Sequence, residues 1–241
     1  MILLVCEIPL WILSGSLPAN SDAVGHSQFL GKDRKPEVVF DMRGSSQPRV
    51  WTTGTYDRLA RYYDFMMRVF FPLGEKGRAR IAERLSAGSI LDVACGTGTL
   101  LAMAHEKGLR CYGIDLSPGM LNQARAKVPG AAFCRASYYE IPYPDGHFDY
   151  VVATNALSGD SIDAGQVLSE MIRVCKSGGR VSIAEWPKAT KDTFMERLVV
   201  KLASLNDDAP KDYLALFAGL GYRPEVEVLS KRYQIIGIEK Q

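Results

Sequence analysis

The chain has 241 residues, 47% hydrophobic and 23% charged, the balance of an ordinary globular protein and not of a disordered or membrane-filling one. A net charge of +2 gives no whole-chain attraction for nucleic acid. Five scattered cysteines (Cys6, Cys95, Cys111, Cys134, Cys175) lack a C-x-x-C pair, and His26, His105 and His147 lie far apart, so neither a disulfide framework nor a metal site is indicated. Reduced thiols in a cytoplasmic setting are the simpler reading.

Residues 1–50 differ from the rest. Met1 to Leu13 is mostly apolar, and Ser14 to Pro48 is rich in Ser, Gly, Pro and charge. The apolar run is shorter than the roughly 20 residues a bilayer span takes. It has no basic flank, and Glu7 and Pro9 interrupt it, which argues against a signal peptide. The expectation is a poorly ordered extension, with Met42 an alternative start.

From residue 51 to 241 the chain reads as one domain. Tyr56 to Phe71 and Gly77 to Leu85 are predicted helices, together forming a helical entry over 51–86. Strands and helices then alternate: strand Ser89–Ala94, helix Leu100–Lys107, strand Cys111–Asp115, and a helix capped by Ser117 with Pro118 at its first position, running to Val128. Ala132–Arg135 and Phe148–Ala153 are strands. Val167–Cys175 is a helix closed by the glycine stop Lys176-Ser177-Gly178-Gly179, and Arg180–Glu185 is a strand. Helices over 192–205 and 211–218 precede two strands, Glu225–Leu229 and Tyr233–Glu239, joined as a hairpin. This order predicts an α/β fold: a doubly wound, Rossmann-like, mostly parallel seven-stranded sheet with a C-terminal antiparallel hairpin.

The segment LDVACGTGTL, residues 91–100, follows the first strand and opens a helix. In such sheets ligands bind beyond the carboxyl ends of the strands, and glycines there bring backbone N–H groups close to them. A dinucleotide site asks for G-x-G-x-x-G. Gly96 and Gly98 fill two places, but Leu101 stands in the third. Asp115 ends the second strand 19 residues after Gly96 (115 − 96), the spacing of an acid that accepts from ribose hydroxyls in either chemistry. The loop carries no lysine for a phosphate, and Asp92 adds a carboxylate suited to an ammonium group or to local backbone.

Four stretches, LDVACGTGT, GIDLSPGMLNQAR, IPYPDGHFDYVV and SEMIRVCKSGGRVSIAEW, occur in an order that resembles the class I S-adenosylmethionine-dependent methyltransferases, closest to the branch that methylates ubiquinone and menaquinone precursors. The similarity runs from about Tyr56 to Glu239. It implies an enzyme that uses S-adenosyl-L-methionine to methylate a small, hydrophobic, quinone-, phenol- or lipid-like acceptor. Position by position, it implies that Asp92, Ala94, Cys95, Gly96, Thr97 and Gly98 face the methionine end of the cofactor. Asp115 would hold the ribose, Leu116 would lie beside the adenine, Ser137 and Tyr138 would meet its edge, and Met120, Thr154 at the end of the fourth strand and Asn155 after it would also belong to the cofactor site. Many relatives carry Asp at the position of Ser137, so that contact is weakened here. The segment TYDRLARYYDFMMRVFFPL resembles the family's lid helix, in which Tyr-Asp pairs recur; Tyr56 and Tyr63 share a face and would reach the cofactor, or simply pack.

No catalytic base is evident. His147 reads as a solvated turn residue and His105 as structural. Between Tyr56 and Arg84 seven basic residues face four acids, so the lid could rest peripherally on an anionic membrane or admit a lipid-like acceptor, although the simpler reading is a solvated charged face over an apolar underside. Two alternatives stay open from sequence: a methyltransferase-like binding protein without catalysis, and an NAD(P) oxidoreductase.

Overall fold

The computed structural model describes residues 53–70, 72–159, 162–186, 211–230 and 233–241. The expected extension over 1–50 and the expected helix over 192–205 lie outside the described residues.

Two helices lead in, α1 (Thr53–Phe70) and α2 (Pro72–Glu83). Then come β1 (Ser89–Val93), α3 (Thr99–Glu106), β2 (Arg110–Asp115), α4 (Pro118–Lys127), β3 (Ala132–Arg135), β4 (Phe148–Thr154), α5 (Ala164–Val174), β5 (Cys175–Glu185), α6 (Tyr213–Gly219), β6 (Glu225–Ser230) and β7 (Tyr233–Glu239). The seven strands form one sheet in the order β3-β2-β1-β4-β5-β7-β6. β1 to β5 pair in parallel, and β7 runs antiparallel to both β5 and β6. The expected doubly wound sheet with its closing hairpin is therefore present.

Strand periodicity divides the core in two. Leu91, Val93, Ile114, Val151, Ile183 and Ile236 point to the face covered by α5 and α6. Ile90, Cys111, Phe133, Val152 and Ile235 point to the face covered by α2, α3 and α4. Both faces of the central strands are largely covered, which is why those strands read as mostly apolar stretches. The chain winds outward from β1 to β2 and β3, then restarts at β4. The strand order thus reverses between β1 and β4, and a crevice opens beyond their carboxyl ends.

Several boundaries differ from expectation, two regions most clearly. α2 begins at Pro72 instead of Gly77. Proline is tolerated at a first helical position, and Gly74 and Gly77 serve close packing. A Cβ at Gly77 would sit 2.5 Å from Tyr233 Cε1, and one at Gly74 would sit 2.8 Å from Asn155 Nδ2. The expected glycine stop over 176–179 belongs to β5, while α5 ends at Val174 and starts earlier, capped by Asp163, whose Oδ1 accepts from Gln166 N at 3.0 Å. Long-range pairing decides this: Gly178 N donates to Lys240 O and Lys240 N to Gly179 O, extending the ladder past the helix end.

Candidate active site

The chain leaves β1 through three residues of positive φ: Ala94 (58°), Gly96 (54°) and Gly98 (74°). Ala94 is not a glycine, so this conformation costs on the order of 1–2 kcal/mol. Asn155, at the end of β4 across the crevice, has φ 53°. Left-handed backbone outside glycine thus occurs, among the described residues, only at the two strand ends that flank the switch point. The loop glycines differ in purpose. A Cβ at Gly98 would press Ala124 Cβ at 3.1 Å, so Gly98 lets α4 approach. At Gly96 a Cβ would meet nothing within 4 Å, so that glycine faces open space and supplies only its backbone turn.

Asp115 joins the loops of two strands. Its Oδ2 accepts from Gly96 N at 2.9 Å and its Oδ1 from Ser117 N at 2.8 Å. Burial raises its pKa, against the pull of those N–H donors. Asp92 sits deeper. It is 2% exposed, and its Oδ1 has no hydrogen-bond partner. Burial pushes its pKa up to about 8; the charge of Arg78 opposes the shift and that of Asp115 adds to it. Arg78, on α2, is itself buried. It donates to Glu75 Oε1 at 2.6 Å, and its Nε has no partner.

These groups border a cleft with about 350 Å³ of empty space, part of it open to solvent. Of the residues expected at a ligand site, Tyr63, Asp92, Ala94, Cys95, Gly96, Thr97 and Thr154 line it. Asp64, Arg78, Thr99 and Leu100 line it as well and were not expected. Tyr56 stands one shell out, edge-on to Tyr63 at 6.2 Å between ring centroids. Asp115 and Gly98 hold the loop from behind. Leu116 is exposed on the rim, while Met120 is buried and its N–H donates to Ser117 Oγ. Ser137 Oγ accepts from Tyr139 N at 3.2 Å, and Tyr138 lies edge-on to Tyr139. The side chain of Asn155 is engaged elsewhere: Tyr233 OH donates to its Oδ1 at 2.8 Å, and its Nδ2 packs on Gly74. Glu185 Oε1 steadies the same loop by accepting from Ala156 N and Leu157 N. His147 is not a solvated turn residue: it stacks on Tyr143 beside Phe148, and burial lowers its pKa.

α1 roofs the cleft through its acids. Asp57 Oδ1 accepts from Ser117 Oγ at 2.5 Å and Gly119 N at 2.8 Å. Asp64 accepts from Thr97 Oγ1 at 2.5 Å and pairs with Lys127 Nζ at 2.5 Å. Burial pushes the Asp64 pKa up, but the Lys127 and Thr97 bonds outweigh it and hold the carboxyl below its ordinary value. The sequence carried a signal for these two latches, since each expected tyrosine is followed by an aspartate and the pairs stand seven residues apart. Arg78 carried none; it sits in a basic run with Lys76, Arg80 and Arg84, and only folding separates it from them.

The cleft therefore offers one buried cation, one buried carboxylate, open backbone at Gly96, an acid between two loops and a tyrosine roof. That set complements a zwitterionic chain attached to a ribose, and it suits a sulfonium, which aromatic faces favour. The class defined by fold and site is a Rossmann-like enzyme binding a nucleoside with an amino-acid tail. Comparison with known proteins makes this specific. Residues 90–179 match a family model described as a methyltransferase domain. A demethylmenaquinone methyltransferase from Beutenbergia cavernae is 31% identical over 172 residues, 66% of this chain and 71% of the relative. The ubiquinone/menaquinone biosynthesis C-methyltransferase UbiE of Geobacter sulfurreducens is 33% identical over 144 residues, 54% of this chain and 56% of the relative. In fold, the chain superimposes with a TM-score of 0.61 on a Thermotoga maritima S-adenosylmethionine-dependent methyltransferase, a possible histamine N-methyltransferase, covering 79% of this chain and 100% of that one at 16% identity. The chain belongs to the class I S-adenosylmethionine-dependent methyltransferases, near the UbiE branch. It is a methyltransferase whose methyl donor is S-adenosyl-L-methionine, and the oxidoreductase alternative falls with that assignment.

Proposed function

We propose that this enzyme methylates a small, hydrophobic, ring-containing acceptor of the reduced-quinone or phenol class. The observation that carries this reading is the 31% identity, over 71% of its length, to a relative named for demethylmenaquinone. When bound, S-adenosyl-L-methionine supplies an electrophilic methyl on a cationic sulfur. The residues divide its binding by charge. Arg78 Nε would meet the carboxylate and Asp92 Oδ1 the ammonium, so that each buried group gains the partner it lacks. Asp115 accepts from the ribose hydroxyls, Leu116 covers the adenine, and Ser137 and Tyr138 border its edge. Thr97 and Thr154 flank the methionine end, with backbone groups of residues 94–98.

Tyr63, supported edge-on by Tyr56 and lining the cleft, would lend its electron-rich face to the positive sulfur. The chemistry the bound donor would supply is in-line methyl transfer, in which the carbon–sulfur bond breaks with its electron pair left on sulfur as the acceptor's bond to carbon forms, and the acceptor's proton passes to bulk solvent on product release. What the chain contributes is alignment and exclusion of water. The test is a methylation assay with labelled donor against a demethylated quinol, simple phenols and a phospholipid. Product with the quinol or phenols supports the reading. Product with the phospholipid alone, or cofactor binding with no product, refutes it.

A further inference from the structure

α1 has two faces of opposite character. Its inner face presents Asp57, Ala60, Tyr63 and Asp64 to the cleft and to α4. Its outer face presents Arg61, Tyr62, Phe65 and Arg68, all exposed. Phe65 is 70% exposed and Tyr62 56%, and they stand one turn apart. The Arg61 guanidinium lies over the Tyr62 ring, 5.3 Å from its centroid. Both acids of the helix, Asp57 and Asp64, are turned inward and engaged by Ser117, Gly119, Thr97 and Lys127, so no carboxylate of this helix offsets the arginines on its outer face.

Folding does not require this pattern. A helix that only roofs a cleft does best with a charged outer face, and isolated exposed residues of this size are usually scattered. Here two aromatics lie side by side with an arginine at each end of the stripe. Aromatic rings with one wet edge, flanked by arginines whose stems lie along apolar surface, fit the boundary between headgroups and acyl chains. The positive charge selects an anionic surface.

We propose that the outer face of α1 docks this enzyme on an anionic lipid surface, with Tyr62 and Phe65 inserted at headgroup depth and Arg61 and Arg68 on the headgroup anions. Docking in this way sets the roof of the cleft against the lipid, so an acceptor dissolved in the bilayer meets the site where Tyr63 hangs from the same helix. No step of methyl transfer depends on it, and it stands whichever acceptor is used.

The test is flotation of the full chain with vesicles of phosphatidylcholine alone, or with about 30% phosphatidylglycerol, at low salt and at about 0.5 M salt. The wild type should float with the anionic vesicles and lose them in high salt. Arg61→Gln with Arg68→Gln should lower partitioning about 25-fold, roughly fivefold for each charge. Tyr62→Ser with Phe65→Ser should lower it at least about tenfold. The thermal shift produced by S-adenosylmethionine should be the same in all three proteins, which certifies their folding. As a direct readout, Phe65→Trp should shift its fluorescence to the blue and be quenched by brominated lipid. A wild type that never floats, or variants that float like it, would overturn the proposal; in the second case binding lies elsewhere in the chain. A vesicle-independent dimer that Tyr62→Ser with Phe65→Ser dissolves would make the face a protein interface and equally overturn it.

Discussion

Replacing Asp92 by asparagine should make the ligand-free enzyme more stable and a poorer binder of its cofactor. The folded carboxyl titrates near pH 8 because it is buried, whereas in the unfolded chain it returns to about 3.9. Between those values the folded state holds one proton more than the unfolded state. Stability from this group is therefore fully present below about pH 4 and is lost as pH rises towards 8, at about 1.4 kcal/mol per pH unit mid-window. From pH 6 to pH 8 the wild type should lose about 2 kcal/mol relative to Asp92→Asn, roughly 6 °C in melting temperature for a domain of this size. Asp115 shifts in the same direction but is present in both proteins, so it cancels in the comparison. Cofactor reverses the balance, because its ammonium favours ionised Asp92. Binding near pH 7 should release about one proton in the wild type and none in Asp92→Asn. Melting curves across pH, and calorimetry in buffers of different ionisation enthalpy, read both effects. Parallel melting profiles for the two proteins, or equal proton release, would refute the reasoning.

Arg78→Met should weaken cofactor affinity about 10- to 100-fold by calorimetry, the worth of a charge-assisted bond to a carboxylate, with Arg78→Lys recovering part of it. Gly77→Ala should destabilise by about 2 kcal/mol, because its Cβ would fall 2.5 Å from Tyr233; thermal melting checks this. Gly96→Ala should cost only about 1 kcal/mol, since its φ of 54° is unfavourable but nothing stands in the way of a methyl group. The same variant should nevertheless bind cofactor poorly in a titration, because the open space it fills faces the cleft. Asp64→Asn should leave the melting temperature nearly unchanged, as a half-exposed pair is worth little. Hydrogen exchange in α1 should still rise, and rise further with salt in the wild type than in the variant.

Much of the sheet was readable because β1 and β4 are mostly buried and so appear as apolar stretches, each broken by a single aspartate and closed by glycine or by a turn. The strand Arg180–Glu185 was readable, but the first residues of β5, 175–179, were not. A Lys-Ser-Gly-Gly sequence after a helix has the chemistry of a stop, and only Lys240, more than 60 residues away, turns it into strand. The start of α2 was hidden for a related reason: Gly74 and Gly77 lower helix propensity locally, and their benefit lies in contacts with Asn155 and Tyr233 on other elements. The glycine loop and Asp115 stood out because backbone geometry constrains their residue types. Asn155 illustrates the limit. Its position at the end of β4 was correctly placed, but the direction of its side chain depends on Tyr233. Arg78 illustrates it further, since its isolation from solvent arises only when α2 packs against β4, β5 and β7.

The two aspartates of α1 have a consequence for how this lid can be inherited or engineered. Asp57 fastens to the loop after β2, through Ser117 and Gly119, and Asp64 fastens to the loop after β1 and the end of α4, through Thr97, Thr99 and Lys127. The helix is therefore not an independent module. A chimaera that imports α1 from a relative without its matching receptors would leave two carboxylates facing hydroxyls and amines that are absent or misplaced. One that imports Ser117, Thr97, Thr99 and Lys127 along with it would carry a working closure. The lid and the loops after β1 and β2 form one unit of exchange, although α2 and β1 separate them in the chain.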